Sequence, residues 1–255
     1  MNKPLDMKKE VFPPGKTPIG GSSFRFDCHP GVECFTRCCK GADMYLYPYD
    51  IIRMKRRLGI NSAAFLTRHT VSAVRDNPFF PSVMLKMAQG PEDPCPFLTA
   101  EGCGIYEDRP SSCRTYPLER GVARMDRFGR RKDFYFLKRD SHCLGHGQDK
   151  EWTVADWITN QEIEAYNRMN DLWVDMDSLF RTNPWPKNEN KQLRMAFMAC
   201  FNVDQFREFV FDSSFLSRFP LSPDRIEQIK GSDEEMMTLG FEWVRFFLTG
   251  HPFTA

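Results

Sequence analysis

The pattern of apolar and polar positions changes character near residue 150. Before it, periodic stretches are short and widely separated. Pro48 opens a helix, with Ile51, Ile52, Met54 and Leu58 as its apolar residues and Gly59 to stop it. Asn61 or Ser62 caps a second, short helix through Phe65 and Leu66. Residues 82–87 alternate, with Val83, Leu85 and Met87 on one face, and predict a strand. Residues 118–125 and 131–137 flank Asp126-Arg-Phe-Gly129 and predict a β-hairpin with a glycine-containing loop. Beyond residue 150 helical spacing dominates. Residues 153–177 read as one long helix carrying Ala155, Ile158, Ile163, Tyr166, Met169, Leu172 and Trp173. Asn183-Pro-Trp-Pro-Lys187 breaks it, and residues 189–201 are helical again. Val203-Asp204 begins a helix with Phe206, Phe209, Val210 and Phe211; Asp224 caps a short one through Ile229 and Asp233 a last one through Phe247. The Phe, Met and Trp of this half read as a packed helical core rather than a bed for a flavin or other planar cofactor.

Two stretches fit neither periodicity. Residues 28–40 and 91–117 are rich in Pro, Gly and Cys and have no apolar pattern of their own, so something else must hold them. Residues 1–23, with Pro4, Pro13, Pro14, Pro18 and Gly20-Gly21-Ser22-Ser23, predict a flexible arm. The expected organisation is therefore an arm (1–23), a cysteine-cluster metal-binding domain (24–150) and a helical region packed on it (151–255). The expected fold class is α+β, mostly helical: an irregular cysteine-rich domain with a small β-hairpin or sheet, plus the C-terminal helices.

At 255 residues the chain can bury a core without covalent staples. A net charge of +1 provides no general attraction to nucleic acid or acidic membranes, and the basic runs at Arg53, Lys55, Arg56, Arg57 and at Arg130, Arg131, Lys132 read as solvated faces. The first residues lack the apolar run of a secretory signal, and no stretch approaches the roughly 18 apolar residues of a membrane span. A cytoplasmic protein is expected. There thiols stay reduced, so clustered cysteines point to metal or redox chemistry rather than disulfides.

Eight of the nine cysteines fall in the irregular segments or just after them: Cys28, Cys34, Cys38, Cys39, Cys95, Cys103, Cys113 and Cys143. Cys200 sits in the apolar run Met195-Ala-Phe-Met-Ala-Cys-Phe201 and reads as core. Eight thiolates are enough for two four-thiolate sites of zinc or iron–sulfur type. The adjacent pair Cys38-Cys39 hints at two sites, because neighbouring side chains diverge in strand or helix and serve two metals more easily than one. One site plus spare redox thiols fits as well. Arg37, Lys40, Arg109, Arg114 and His142 lie close in sequence to the thiols, either to offset thiolate charge or, for Arg109 and Arg114, to pair with Glu107 and Asp108. His29, His142 and His146 read as neighbours of ligands rather than ligands. The chain has no Cys pairs separated by two residues, the usual zinc-finger spacing, and no ferredoxin run, and Gly41 stands where a radical-SAM triplet would place its third cysteine. Asp27, Glu33 and Glu101 could act as bases, but nothing selects them, so no catalytic residue is assigned.

The cluster Cys28…Cys34…Cys38-Cys39, then Cys95-Pro-Phe-Leu98, Cys103-Gly-Ile-Tyr106, Arg109-Pro110, Cys113-Arg114 and Pro117, resembles the YkgJ-type CxxCxxCC family. These proteins, mostly bacterial, are described as zinc- or iron-chelating. Cys143-Leu-Gly-His-Gly147 is similar to the glycine-bearing cysteine that closes the domain in many members. The resemblance covers about residues 24–150 and implies that the eight cysteines are the ligands. The family name implies two-residue gaps, whereas Cys28 to Cys34 encloses five residues and Cys34 to Cys38 three. A flagellin lysine methylase is similar in its cysteine motif. The expectation is a metal-binding protein with an iron–sulfur cluster in a redox or scaffold role, favoured over zinc by the wide spacings, the vicinal pair and the all-thiolate supply. The alternatives are a structural zinc-binding interaction module, whose helical half meets a protein partner, and a lysine-methylase-like modifying enzyme. No S-adenosylmethionine-type glycine loop follows a strand anywhere in the chain.

Overall fold

The computed structural model describes residues 16–75, 77–122, 131–185 and 190–251. Its first elements are β1 (Phe24–Arg25), β2 (Tyr45–Leu46), α1 (Pro48–Leu58), α2 (Ser62–His69), β3 (Thr70–Ala73) and β4 (Ser82–Leu85). Then come β5 (Leu98–Thr99), β6 (Gly102–Cys103), α3 (Ser111–Thr115), β7 (Leu118–Val122) and β8 (Asp133–Leu137). After β9 (Glu151–Trp152) the chain is helical: α4 (Val154–Asn160), α5 (Ile163–Phe180), α6 (Asn190–Phe201) and α7 (Val203–Asp212). It ends with α8 (Phe215–Arg218), α9 (Pro223–Gly231) and α10 (Asp233–Thr249). The fold is α+β and mostly helical, as the pattern predicts.

All strand pairs are antiparallel and short. β4 is the middle of a three-stranded sheet, with Tyr45 and Val71 on either side of Met84. Val83 and Leu85 point into the core, on the predicted face. β7 and β8 pair from Leu118↔Leu137 to Val122↔Asp133. The predicted turn at 126–129 lies outside the described residues, as do residues 1–15 of the arm and Pro186 and Lys187 of the predicted break. The sequence did not indicate that β1 pairs with β9, which ties the first described strand to the start of the helical half.

Local capping chemistry sets most helix ends. Pro48 occupies the first turn of α1, Gly59 ends it, and the Asn61 side chain accepts from Ala64 N at 2.8 Å to start α2. The caps of α9 and α10 are not Asp224 and Asp233 but Ser222 and Ser232, whose hydroxyls accept from Arg225 N and Glu235 N. Both aspartates lie inside the first turn instead, where a carboxylate favours the helix dipole.

The single helix expected over 153–177 is two helices, α4 and α5, separated by Glu162 in the left-handed region at φ 51°. The break separates two apolar environments. Trp157 and Ile163 join Phe24, Phe26 and Leu118 in a small core, whereas Tyr166, Trp173, Met176 and Phe180 enter a large one. Arg114 Nη1 donates to Gln161 O at 2.6 Å, satisfying a carbonyl at the interruption.

The large core takes Leu46, Ile51, Ile52, Met54, Phe65, Val83, Leu85 and Ile105 from before residue 150, and Phe201, Phe206, Met236, Leu239 and Trp243 from after it. Each such side chain contributes about 1.5–3 kcal/mol when fully buried. Phe80 stacks on Phe180 with centroids 4.0 Å apart. Gly240 lets α10 touch α6: a Cβ there would stand 2.3 Å from Ala199 O.

The first basic run is not a solvated face. Lys55 is buried between Asp204 and Asp233, at 2.9 Å from each. Arg56 and Arg207 also reach Asp233, and Arg53 pairs with Asp108. These charges join α1 to α7 and α10 because each buried ion has a partner that offsets its desolvation. In the second run, Arg131 pairs with Asp171 and Asp175 on α5. Among the described residues, no helix is long and apolar enough to cross a membrane.

Candidate metal centre

The irregular segments are held by main-chain hydrogen bonds to one another. Just after β1, Phe26 N donates to Lys150 O (2.9 Å) and Asp27 N to Gly145 O (3.1 Å), which lays Cys28 along the loop that carries Cys143. Gly145 makes this approach possible. A Cβ there would stand 2.7 Å from both Asp27 O and the Phe26 ring, so the two segments could not close with any other residue. Cys34 precedes the tight turn Arg37–Cys39, which Thr36 enters in a left-handed conformation. From the other loop, the Leu144 amide donates to Cys34 Sγ at 3.1 Å.

A second set of contacts gathers the other thiols. Cys95 N donates to Cys39 O at 2.7 Å, Gly41 N to Asp93 O at 3.0 Å, and Lys40 bridges to Pro94. Glu92 clamps the same junction through Lys40 (2.7 Å) and Arg37 (2.8 Å). Cys103 lies opposite Leu98 in the β5–β6 pair, on the strand that follows Cys95. Cys113 is in α3, whose first turn is pinned from below: the buried Asp50 accepts from Ser111 N (2.8 Å) and Ser111 Oγ (3.2 Å). Asp50 also accepts from Tyr47 N (2.9 Å), so one carboxylate fixes the starts of both α1 and α3. Burial pushes its pKa up to about 6 despite these bonds and the nearby Arg114. Cys113 Sγ lies 3.8 Å from Met44 Sδ.

Main-chain contacts draw the thiols toward two neighbourhoods, and Cys38 is a charge neighbour of thiols in both. Cys28 is pushed up to about 11 by burial and by Cys38, Cys34 and Cys143 around it, with a further push from Asp27. Cys39, by contrast, sees Cys113 and Cys95, and Cys113 sees Cys38, Cys95 and Cys103. The vicinal pair stands between the groups. Cys39 donates to Cys38, which holds Cys38 down at about 7 and drives Cys39 well up. Burial is the main cause of the rise at Cys113 and Cys95. Cys113 nonetheless keeps an open face to solvent. Among the described residues, no three His, Cys, Asp or Glu side chains stand close enough to enclose an ion as they are. The donor chemistry fits a soft metal: eight clustered thiols, one sulfur already accepting a main-chain N–H.

The predicted neighbours have more structural tasks than expected. Arg37 and Lys40 serve Glu92. Arg109 lies over the Tyr106 ring at 3.7 Å and bonds Tyr106 O and Gln161, within electrostatic reach of Cys113 and Cys103. Arg114 packs over Tyr166 and donates to the Glu107 carbonyl rather than its carboxylate. Asp108 goes to Arg53. His29 accepts from Gly31 N, His142 is exposed, and His146 stands edge-on to Phe26 and Tyr116. Cys200 is buried in the large core, away from both groups.

Sequence reasoning passed over three residues that matter here. Asp50 could have been suspected from its place three residues into a helix opened by Tyr47-Pro48, where carboxylates cap. Gly145 stood in the quoted Cys143-Leu-Gly-His-Gly147 motif without a role assigned to it, and Tyr116 left no signal. The Tyr116 hydroxyl is buried, faces the Cys143 thiol and the Asp140 main chain outside hydrogen-bond geometry, and is pushed up by burial.

With this geometry in place, comparison with known proteins adds one finding. Residues 27–144 match the family model CxxCxxCC, described as "Putative zinc- or iron-chelating domain". This segment is therefore similar to that domain. Its limits enclose all eight clustered thiols and leave out Cys200. No curated protein and no solved structure matches the chain.

Proposed function

We propose that the CxxCxxCC segment chelates metal through two four-thiolate sites, one of Cys28, Cys34, Cys38 and Cys143, the other of Cys39, Cys95, Cys103 and Cys113. The observation that carries this reading is the pairing of segments: main-chain donors tie the Cys28 and Cys34 segments to the Cys143 loop, and Cys95 N donates to Cys39 O. Cys38, a charge neighbour of Cys28 and of Cys113 alike, completes the first four. Residues 24–150 then form the metal-binding unit of a cytoplasmic protein, and 151–255 form the helical body that supports it.

The metal we assign is iron, held in an iron–sulfur cluster. When bound, such a centre supplies one-electron chemistry or a rigid cross-link. The chain's own contribution is the thiolates, the Leu144 N–H on Cys34 and the Arg109 charge near the second group. Anaerobic purification followed by metal and acid-labile sulfide analysis and an absorption spectrum tests the assignment. Iron with sulfide and visible charge-transfer bands is expected. A colourless protein with stoichiometric zinc would replace the cluster by structural zinc, and metal-free protein would overturn chelation altogether. Single Cys113→Ser and Cys34→Ser variants should each lose the metal of one site, whereas Cys200→Ser keeps both.

A further inference from the structure

The two thiol groups are built into very different surroundings. Cys95 and Cys103 pack against the large core, which includes Phe97 and Ile105 beside them in sequence. Cys39 is bonded to Cys95, and Cys113 sits in a helix anchored by the fully buried Asp50. The other group has no such foundation. Cys28 and Cys38 are exposed, against Cys113 alone in the group of Cys95, and none of the four packs against the large core. Cys34 is held to the Cys143 loop by a single N–H···S bond, and Cys143 packs only against the small core. Of residues 139–144, none is buried, and Leu144 beside Cys143 is 46% exposed.

Resting on the two-site reading, we infer that the sites differ in kind: the group of Cys39, Cys95, Cys103 and Cys113 is a structural site, and the group of Cys28, Cys34, Cys38 and Cys143 is an exchangeable one that takes up and gives up metal on the folded protein. Losing metal from the structural site exposes part of the large core, because its thiols link the Arg37–Cys39 turn, α3 and the β5–β6 pair, two of them packed on that core. Losing it from the exchangeable site frees two surface turns that the β1–β9 pair and the bond between Asp27 and Gly145 still hold in place. Exchange requires that an incoming ligand reach the metal, and the exposed Cys28 and Cys38 supply that approach.

The test is metal release from the whole, metal-loaded protein into excess 4-(2-pyridylazo)resorcinol, with the circular-dichroism melt recorded on the same samples. Two phases are expected, the fast one at least about tenfold quicker. Cys28→Ser and Cys34→Ser should abolish the fast phase and leave the melt unchanged, while Cys103→Ser removes the slow phase and lowers the melt. A single release phase overturns the inference, as does a lowered melt in Cys28→Ser or Cys34→Ser, or loss of the slow phase in either. Wild-type protein that holds no metal overturns the two-site reading itself, and the inference with it.

Discussion

Replacing Asp50 with alanine tests whether a residue outside the cysteine motif positions one of its thiols. The substitution strips the acceptor from two buried main-chain amides, Tyr47 N and Ser111 N, and from the Ser111 hydroxyl. A buried donor left without an acceptor costs about 1–3 kcal/mol, so the two amides together cost about 2–6 kcal/mol. The cost depends on pH in a stated direction. Burial raises the Asp50 pKa from 3.8 to about 6, so the folded state binds a proton that the unfolded state has already released between those values. The contribution of Asp50 is therefore greatest below about pH 4 and declines as pH rises through about 6, by about 3 kcal/mol in all. Arg114 and the three hydrogen bonds oppose this rise but do not overcome it. Urea unfolding of wild type and Asp50→Ala at several pH values measures both quantities, and the gap between the two proteins should narrow from pH 4.5 to pH 7.5. With α3 no longer pinned, alkylation of Cys113 by iodoacetamide should accelerate, read by mass spectrometry against the buried Cys200 as internal reference. Equal stability within about 0.5 kcal/mol at every pH, with unchanged Cys113 alkylation, would refute the positioning role.

Three further outcomes follow from particular contacts. Gly145→Ala places a Cβ 2.7 Å from Asp27 O, and overpacking of this kind costs about 1–3 kcal/mol; the measurable result is loss of metal from the Cys28 group while Cys103 alkylation stays slow. Lys55→Met leaves Asp204 with only the Arg207 contact at 3.5 Å and should cost about 3 kcal/mol in urea unfolding, the low end for a broken buried pair because Arg207 remains near Asp204 and Arg56 and Arg207 still serve Asp233. Burial alone would raise Asp233, but bonds from Lys55 and Arg207 hold it at about 2, so wild type loses about 2 kcal/mol as pH falls from about 4 toward 2; a Lys55→Met acid-unfolding curve as steep as wild type's would contradict this. Cys200→Ser should lower stability by about 1–3 kcal/mol, since it buries a hydroxyl among apolar side chains, and metal analysis should show no change.

The sequence by itself determined what depends on neighbours along the chain. The α1 start at Pro48, the Asn61 cap, the Val83/Leu85 face and the Phe-rich helices follow from local conformational preference and apolar periodicity, and the structure keeps each of them. The candidate ligands were legible too, because eight thiols concentrated in segments without apolar periodicity stand out whatever the fold. Tertiary structure decided the rest. Residues 153–177 break at Glu162 because their apolar stripe serves two cores, which no helical period can reveal. Lys55 looks like one more surface charge until α7 and α10 bring Asp204 and Asp233 to it. The placing of the thiols depends on contacts between distant segments: Cys39 to Cys95, Cys34 to Leu144, Asp50 to Ser111 and Gly145 to Asp27. Spacing along a chain constrains only which thiols can be close. Which four are close is set by packing around them, and that packing is a property of the folded core.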